Sequence, residues 1–141
     1  MMYLGIDYGK KRIGLALGQM IPKGAGVIDG AQDLGAIISQ IEKICRENEV
    51  EGIVIGLPIK KSGDLGEIAP EIEKFVSETK SRLNLPVFFE EEELTSVEAE
   101  SILTENGQQY DRKSGKIDEL AAILILEQHL NKKNRSSLKD K

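Results

Sequence analysis

The chain has one cysteine, one histidine and little positive charge to spare. The single thiol, Cys45, excludes an internal disulfide and a cysteine-based zinc site. No apolar run reaches the roughly 18 residues of a membrane-spanning helix. The N-terminal MMYLGIDYGKKR carries an acid at Asp7 and no apolar stretch of the signal-peptide kind, so a cytoplasmic protein without a membrane partner is the expectation. The formal net charge of -5 weighs slightly against a nucleic-acid partner, since phosphate contacts come from Lys and Arg. Internal repeats and linkers are also missing.

What is present is an ordinary globular composition in 141 residues, 40% hydrophobic and 30% charged, enough for one domain with its own core. The charge is unevenly spread. Residues 131–141, NKKNRSSLKDK, hold four Lys, one Arg and one Asp, a local +4, so residues 1–130 carry -9. We read 1–130 as a single domain and 131–141 as a basic, frayed tail. Within the acidic body, basic residues gather at Lys10-Lys11-Arg12, at Lys60-Lys61, and at Arg112, Lys113 and Lys116.

MYLGIDYG and KRIGLALG read as two strands joined by a tight Gly-Lys turn, with AGVIDG a third. Short connections favour antiparallel pairing, which makes residues 2–28 a three-stranded meander. Leu34, Ile37, Ile38, Ile41 and Cys45 recur at helical spacing. EGIVIGLP is a continuous apolar run stopped by proline, the mark of a buried parallel strand. Pro70 suits the first turn of a second helix with Ile72, Phe75, Val76, Thr79 and Leu83 on one face. LPVFFE is another buried strand, and Thr95 with Glu98 forms a capping box that opens a third helix ending near Asn106-Gly107. IDELAAILILEQHL is helical in length and apolar on most sides, so it must lie against the sheet. The expected architecture is α/β: a mixed five-stranded sheet, three antiparallel strands then two parallel, with helices on both faces.

In such a sheet, ligands bind beyond the carboxyl ends of the parallel strands, where the strand order reverses. Asp7 ends the first strand, and the acidic run Glu90–Glu93 stands at or beyond the end of the last. Asp118 opens the final helix, where the small side chains of Ala121 and Ala122 would let that helix approach the sheet closely. Carboxylates without His or Cys suit hard cations such as magnesium or manganese. Two such ions roughly 3.5–4 Å apart can activate a water and stabilise the leaving oxygen of a phosphodiester. The basic loops would flank these acids and hold a phosphate backbone.

GIDYGKKRIGLALG closely resembles the first motif of the YqgF (RuvX) family, G-I-D-x-G-x-K-R-I-G-x-A, and VIGLP resembles its second. EEELTSVEA is similar to its D-E-R-L-[ST]-[ST]-x-E-A stretch, and KSGKIDELAAILILEQHL to its closing segment. The four motifs fall in register over about residues 2–130. The resemblance implies an RNase H-like fold similar to Holliday-junction resolvases. It also implies a nuclease, with members described as candidates for processing the 5′ end of pre-16S ribosomal RNA and some reported to act on junction DNA. It places the three acids on Asp7, Glu92 and Asp118, which as catalytic groups and metal ligands would take the cofactor that the carboxylate chemistry suggests, Mg²⁺ or Mn²⁺, two ions. Lys11, Arg12 and Lys116 match basic positions of its motifs; with Lys60, Arg112 and Lys113 they form the expected nucleic-acid-binding set, for pre-rRNA or branched DNA.

Two departures stand out. Glu91 replaces the aspartate of Asp-Glu-Arg, and Glu93 replaces its arginine, reversing the charge beside the metal-binding position. A weakly catalytic binding module is therefore a competing expectation. The actin and sugar-kinase class shares the G-I-D-x-G opening but needs two domains around a cleft, and this chain supplies one. Symmetric cutting of a junction would need a two-fold homodimer, whereas end trimming needs only a monomer. Three of the four glutamates read as a solvated charge run. His129, roughly 16 Å along a helix from Asp118, reads as a surface residue, and Cys45 reads as a small core residue.

Overall fold

Alternation along the first strand, β1 (Tyr3–Asp7), sends Leu4 and Ile6 to one face of the sheet and Tyr3, Gly5 and Asp7 to the other. The computed structural model describes residues 1–58, 66–91 and 116–139, side chains 67 and 134–139 excepted. β1 pairs antiparallel with β2 (Arg12–Gly18), which pairs antiparallel with β3 (Lys23–Asp29). On its other side β1 pairs parallel with β4 (Gly52–Leu57), and β4 parallel with β5 (Val87–Glu91). The five-stranded sheet has the order β3-β2-β1-β4-β5. The meander followed by two parallel strands is the architecture expected from the sequence, and the order reverses at β1 and β4, where Asp7 sits.

Two helices cover the Leu4/Ile6 face. α1 (Leu34–Glu47) buries Ile37, Ile38, Ile41 and Cys45, four of the five positions singled out by their spacing; Leu34 is partly buried. Each such side chain contributes about 1.5–3 kcal/mol on leaving water. Pro70 does lie in the first turn of α2 (Ala69–Leu83), which buries Ile72, Phe75 and Thr79. The hydroxyl of Thr79 donates to the Phe75 carbonyl at 2.8 Å, so its burial leaves no donor unpaired. Asn84 stops the helix in the left-handed conformation, φ 52°, which Asn tolerates better than most residues. Cys45 is buried, and burial, with the charge of Glu42 behind it, pushes its thiol up to about 11.

The opposite face is covered by one helix, α3 (Lys116–Lys139). Ala122, Ile125, Leu126 and Leu130 pack on Tyr3, Ala16 and Val54. Gly5 makes this seat possible: a methyl group there would lie 2.9 Å from Leu126 Cβ and 3.1 Å from the Ala122 carbonyl oxygen. The expected end of this helix near residue 130 is not where it stops; α3 continues into the basic segment as far as Lys139. The capping box at Thr95 and Glu98, and the helix it would open, lie outside the described residues.

Candidate active site

The register of the sheet lays out the site. Asp7 is paired across β1 with Gly14 on one side and Gly56 on the other, and Gly56 is paired with Glu90. Residues in one such row point to the same face, so Asp7 and Glu90 both look toward α3. Glycine at positions 14 and 56 leaves the space beside Asp7 open. Into the space over Gly14 comes the backbone of Asp118: its carbonyl carbon and oxygen, with the amide of Glu119, lie where a methyl group on Gly14 would have to go. The first turn of α3 thus rests on the cross-strand neighbour of Asp7, and such neighbours are roughly 4.5–5.5 Å apart. Two of the three acids chosen from the sequence are brought together; Glu92 lies outside the described residues.

Two ties hold Asp118 in place. Arg12 Nε donates to Asp118 Oδ2 at 2.8 Å, with both side chains partly exposed. Glu119 accepts the Gly26 amide at 2.7 Å. That amide is available because β3 is irregular there: Leu15 pairs with Gly26 but Ala16 with Gly24, and Gly26 has φ 98°. Sequence reading missed Glu119, since neither an irregular pairing nor a free strand amide leaves a local signal. Of the expected basic set, Arg12 is turned onto Asp118, while Lys11 and Lys116 are exposed near the same end of the sheet. Lys60, Arg112 and Lys113 lie outside the described residues.

Glu90 corrects the reading of the acidic run as mostly solvated. It is 3% exposed. His129 Nδ1 lies 2.9 Å from its Oε1, while Lys132 Nζ and Gln128 Nε2 donate to its Oε2 at 2.7 and 3.0 Å. An ionised carboxylate only accepts, so the His129 proton sits on Nδ1. His129 is itself no surface residue, at 8% exposed. Its ring is flanked by Tyr3, centroids 5.4 Å apart, and Phe88, 4.9 Å apart; its Nε2 has no hydrogen bond among the described residues. Lys133 donates to the Tyr3 hydroxyl and covers both rings. Helix spacing placed His129 correctly relative to Asp118 but could not show that a strand carboxylate would meet it.

Burial alone would raise the Glu90 carboxyl, but the hydrogen bonds and charges of Lys132 and His129 outweigh it and hold the group below the ordinary carboxylate range. A folded-state value below the unfolded one contributes stability above the ordinary range, and that contribution is lost as pH falls through the folded value. At neutral pH the wild type is therefore expected to melt above Glu90→Gln. The gap should close as pH falls below about 5, and thermal melts from pH 7 to 3 measure it. A gap constant over that range would show that the charge of Glu90 is not what its neighbours stabilise.

Three antiparallel strands followed by two parallel ones, with an acid ending β1 and another opening the last helix, make up a mixed α/β sheet. The model of the RuvX Holliday junction resolvase family matches residues 1–132. The chain belongs to that family. It is 38% identical over 136 residues to a protein of Crocosphaera subtropica named "Putative pre-16S rRNA nuclease", covering 94% of both chains. It is 36% identical over 132 residues to a protein of Synechococcus elongatus with the same name, covering 91% of this chain and 87% of that one. Among solved structures, Thermus thermophilus RuvC in complex with a Holliday junction superposes with a TM-score of 0.56 at 17% identity, over 89% of this chain and 91% of that one. A ROK family protein of Streptococcus pneumoniae superposes with a TM-score of 0.51 at 21% identity, but this chain covers only 39% of it. That likeness is one of fold over part of the larger protein.

Proposed function

We propose that the chain is a metal-dependent endonuclease that hydrolyses phosphodiester bonds of structured RNA, acting at the 5′ end of pre-16S rRNA, with Asp7, Glu92 and Asp118 as its catalytic carboxylates. The observation that carries the reading is the seat of Asp118 on Gly14, directly beside Asp7. No cluster of three His, Cys, Asp or Glu side chains suited to a metal occurs among the described residues. The two acids in place offer only carboxylate oxygen, a donor set that fits Mg²⁺ or Mn²⁺. Glu92, following directly on β5, completes the set. A divalent cation held by these acids would supply Lewis-acid stabilisation of the phosphoryl oxygens and an activated water.

The chain's own residues bind and orient. Exposed Lys11 and Lys116, together with Lys60, Arg112 and Lys113, attract the phosphate backbone in a salt-dependent way. Arg12, in its 2.8 Å ion pair with Asp118, restrains that carboxylate. The acidic body around this edge restricts favourable contact to the basic loops. The purified protein is expected to cleave a pre-16S rRNA fragment with Mg²⁺ or Mn²⁺ and to lose that cleavage in EDTA. A four-way DNA junction tested beside it decides between RNA and DNA as preferred substrate. Cleavage that persists in EDTA would overturn the metal mechanism; tight binding without cleavage of either substrate would favour a binding module.

A further inference from the structure

We propose that Tyr8 is a positioning residue of the nuclease site, its ring anchoring, on the far side of the sheet, the turn that joins Asp7 to Arg12. The inference rests on the functional reading above and deepens it with a residue outside the acidic set. Alternation sends the side chain after Asp7 to the opposite face, and there Tyr8 packs against the core covered by α1 and α2. Its ring lies on that of Phe75, a fully buried residue of α2, with centroids 4.7 Å apart and planes inclined at 37°. The other three residues of the turn are Gly9 and two exposed lysines, Lys10 and Lys11. Tyr8 is thus the one side chain with which the turn enters the core.

Two further contacts close the turn. The Gly30 amide donates to the Lys11 carbonyl at 2.9 Å. Gly30 is packed so closely that a methyl group on it would lie 2.7 Å from the Gly9 carbonyl oxygen and 2.8 Å from that of Lys10. Lys10 also reaches Glu71 of α2 at 3.8 Å, but both side chains are about half exposed, and exposed pairs of this kind contribute little. The firm link to α2 is therefore the ring.

The turn has one acid at its start and the partner of another at its end. Asp7 leads into it, and Arg12, which follows it, donates to Asp118 at 2.8 Å. A shift of the turn alters the separation of these two carboxylates even while Gly14 still seats α3. Aromatic pairs have a preferred geometry and contribute beyond their buried area, so a ring fixes the turn more closely than an aliphatic chain of similar bulk. Outer residues that orient ligating carboxylates typically change metal affinity or activity about 10–100-fold when removed. A core residue with no positioning role would change stability alone.

The test uses the full chain, with Mn²⁺ as probe. Bound Mn²⁺ is counted by electron paramagnetic resonance, kcat and KM are measured on a pre-16S rRNA fragment, and melting is followed by circular dichroism. Asp7→Asn is the control that assigns the Mn²⁺ to the site. Tyr8→Leu, which keeps an apolar side chain but no ring, is expected to bind Mn²⁺ about tenfold more weakly and to lose about tenfold in kcat where it is fully folded, with KM little changed. Tyr8→Phe, which keeps the ring and removes the hydroxyl, is expected to restore both to within about twofold of wild type. Leu83→Ala trims the same core at the last residue of α2 and is expected to lower the melting temperature without changing Mn²⁺ affinity or kcat in the folded protein. Mn²⁺ affinity and kcat of Tyr8→Leu within about twofold of wild type, whatever its melting, would overturn the anchor. Equal losses in Tyr8→Phe and Tyr8→Leu would also overturn it, because the hydroxyl and not the ring would then be the working group. Both results leave the nuclease reading intact, whereas absence of Asp7-dependent Mn²⁺ binding in the wild type would overturn the reading and the anchor together.

Discussion

Asp7→Asn is expected to lower phosphodiester cleavage by about 10³-fold or more while RNA binding stays near the wild-type level. Asn keeps the size of the side chain and one oxygen but removes the charge that a hard cation requires. A cation in such a site contributes several kcal/mol of transition-state stabilisation. At about 1.4 kcal/mol per factor of ten, a loss of about 4 kcal/mol is three orders of magnitude. Asp7 stands half-buried at the carboxyl end of the central strand β1, one residue beyond its core residues Tyr3, Leu4 and Ile6, so thermal melts beside the assay check that the fold is kept. Single-turnover cleavage of a pre-16S rRNA fragment measures the rate, and filter binding in Ca²⁺ measures affinity. Rates within about tenfold of wild type would exclude Asp7 as a ligand of the catalytic cation, because an outer partner costs that much and a direct ligand more.

The parts of this site that were legible in the sequence share one property. Asp7, Pro70, Ala121 and the helical stripe of α1 announce themselves within a few residues, through turn chemistry or periodicity. The antiparallel pairing of the first three strands followed from connection length. What could not be read is pairing between distant elements. Strand alternation in the sequence did not distinguish Glu90 from Glu92, and only the crossing of α3 over the sheet shows that Glu90 meets His129 and Lys132. A lone histidine at the end of an apolar helix is as consistent with solvent as with a buried carboxylate. Glu119 is likewise an unremarkable first-turn acid until the irregular pairing of β3 turns the Gly26 amide toward it. The choice of Glu92 came from the family register, and no local rule would have made it.

Gly14→Ala should be the most damaging glycine-to-alanine substitution among the described residues, because it strikes the fold and the site at once. In the first motif this glycine could pass for a strand residue that happens to be small. In the structure its missing side chain is the seat of α3, and a methyl there would overlap the carbonyl of Asp118 and crowd the amide of Glu119. All three obstacles are helix backbone, so no rotamer change relieves the overlap and the first turn of α3 has to lift. Overpacking of this kind costs about 1–3 kcal/mol, and an obstacle that cannot rotate away puts this case near the upper end. For a domain of this size that is a fall of about 10 °C in melting temperature. Lifting the turn also strains the Arg12–Asp118 pair, 2.8 Å in the native protein, and moves Asp118 away from Asp7. A misplacement of about 1 Å in a catalytic group can cost about 10²-fold in rate. Gly14→Ala is therefore expected to lose about two orders of magnitude in cleavage at temperatures where it remains fully folded by circular dichroism, a loss that stability alone does not explain. A variant that melts with the wild type and cleaves at its rate would show that α3 does not rest on Gly14, and with that the proximity of Asp7 and Asp118 would lose its support.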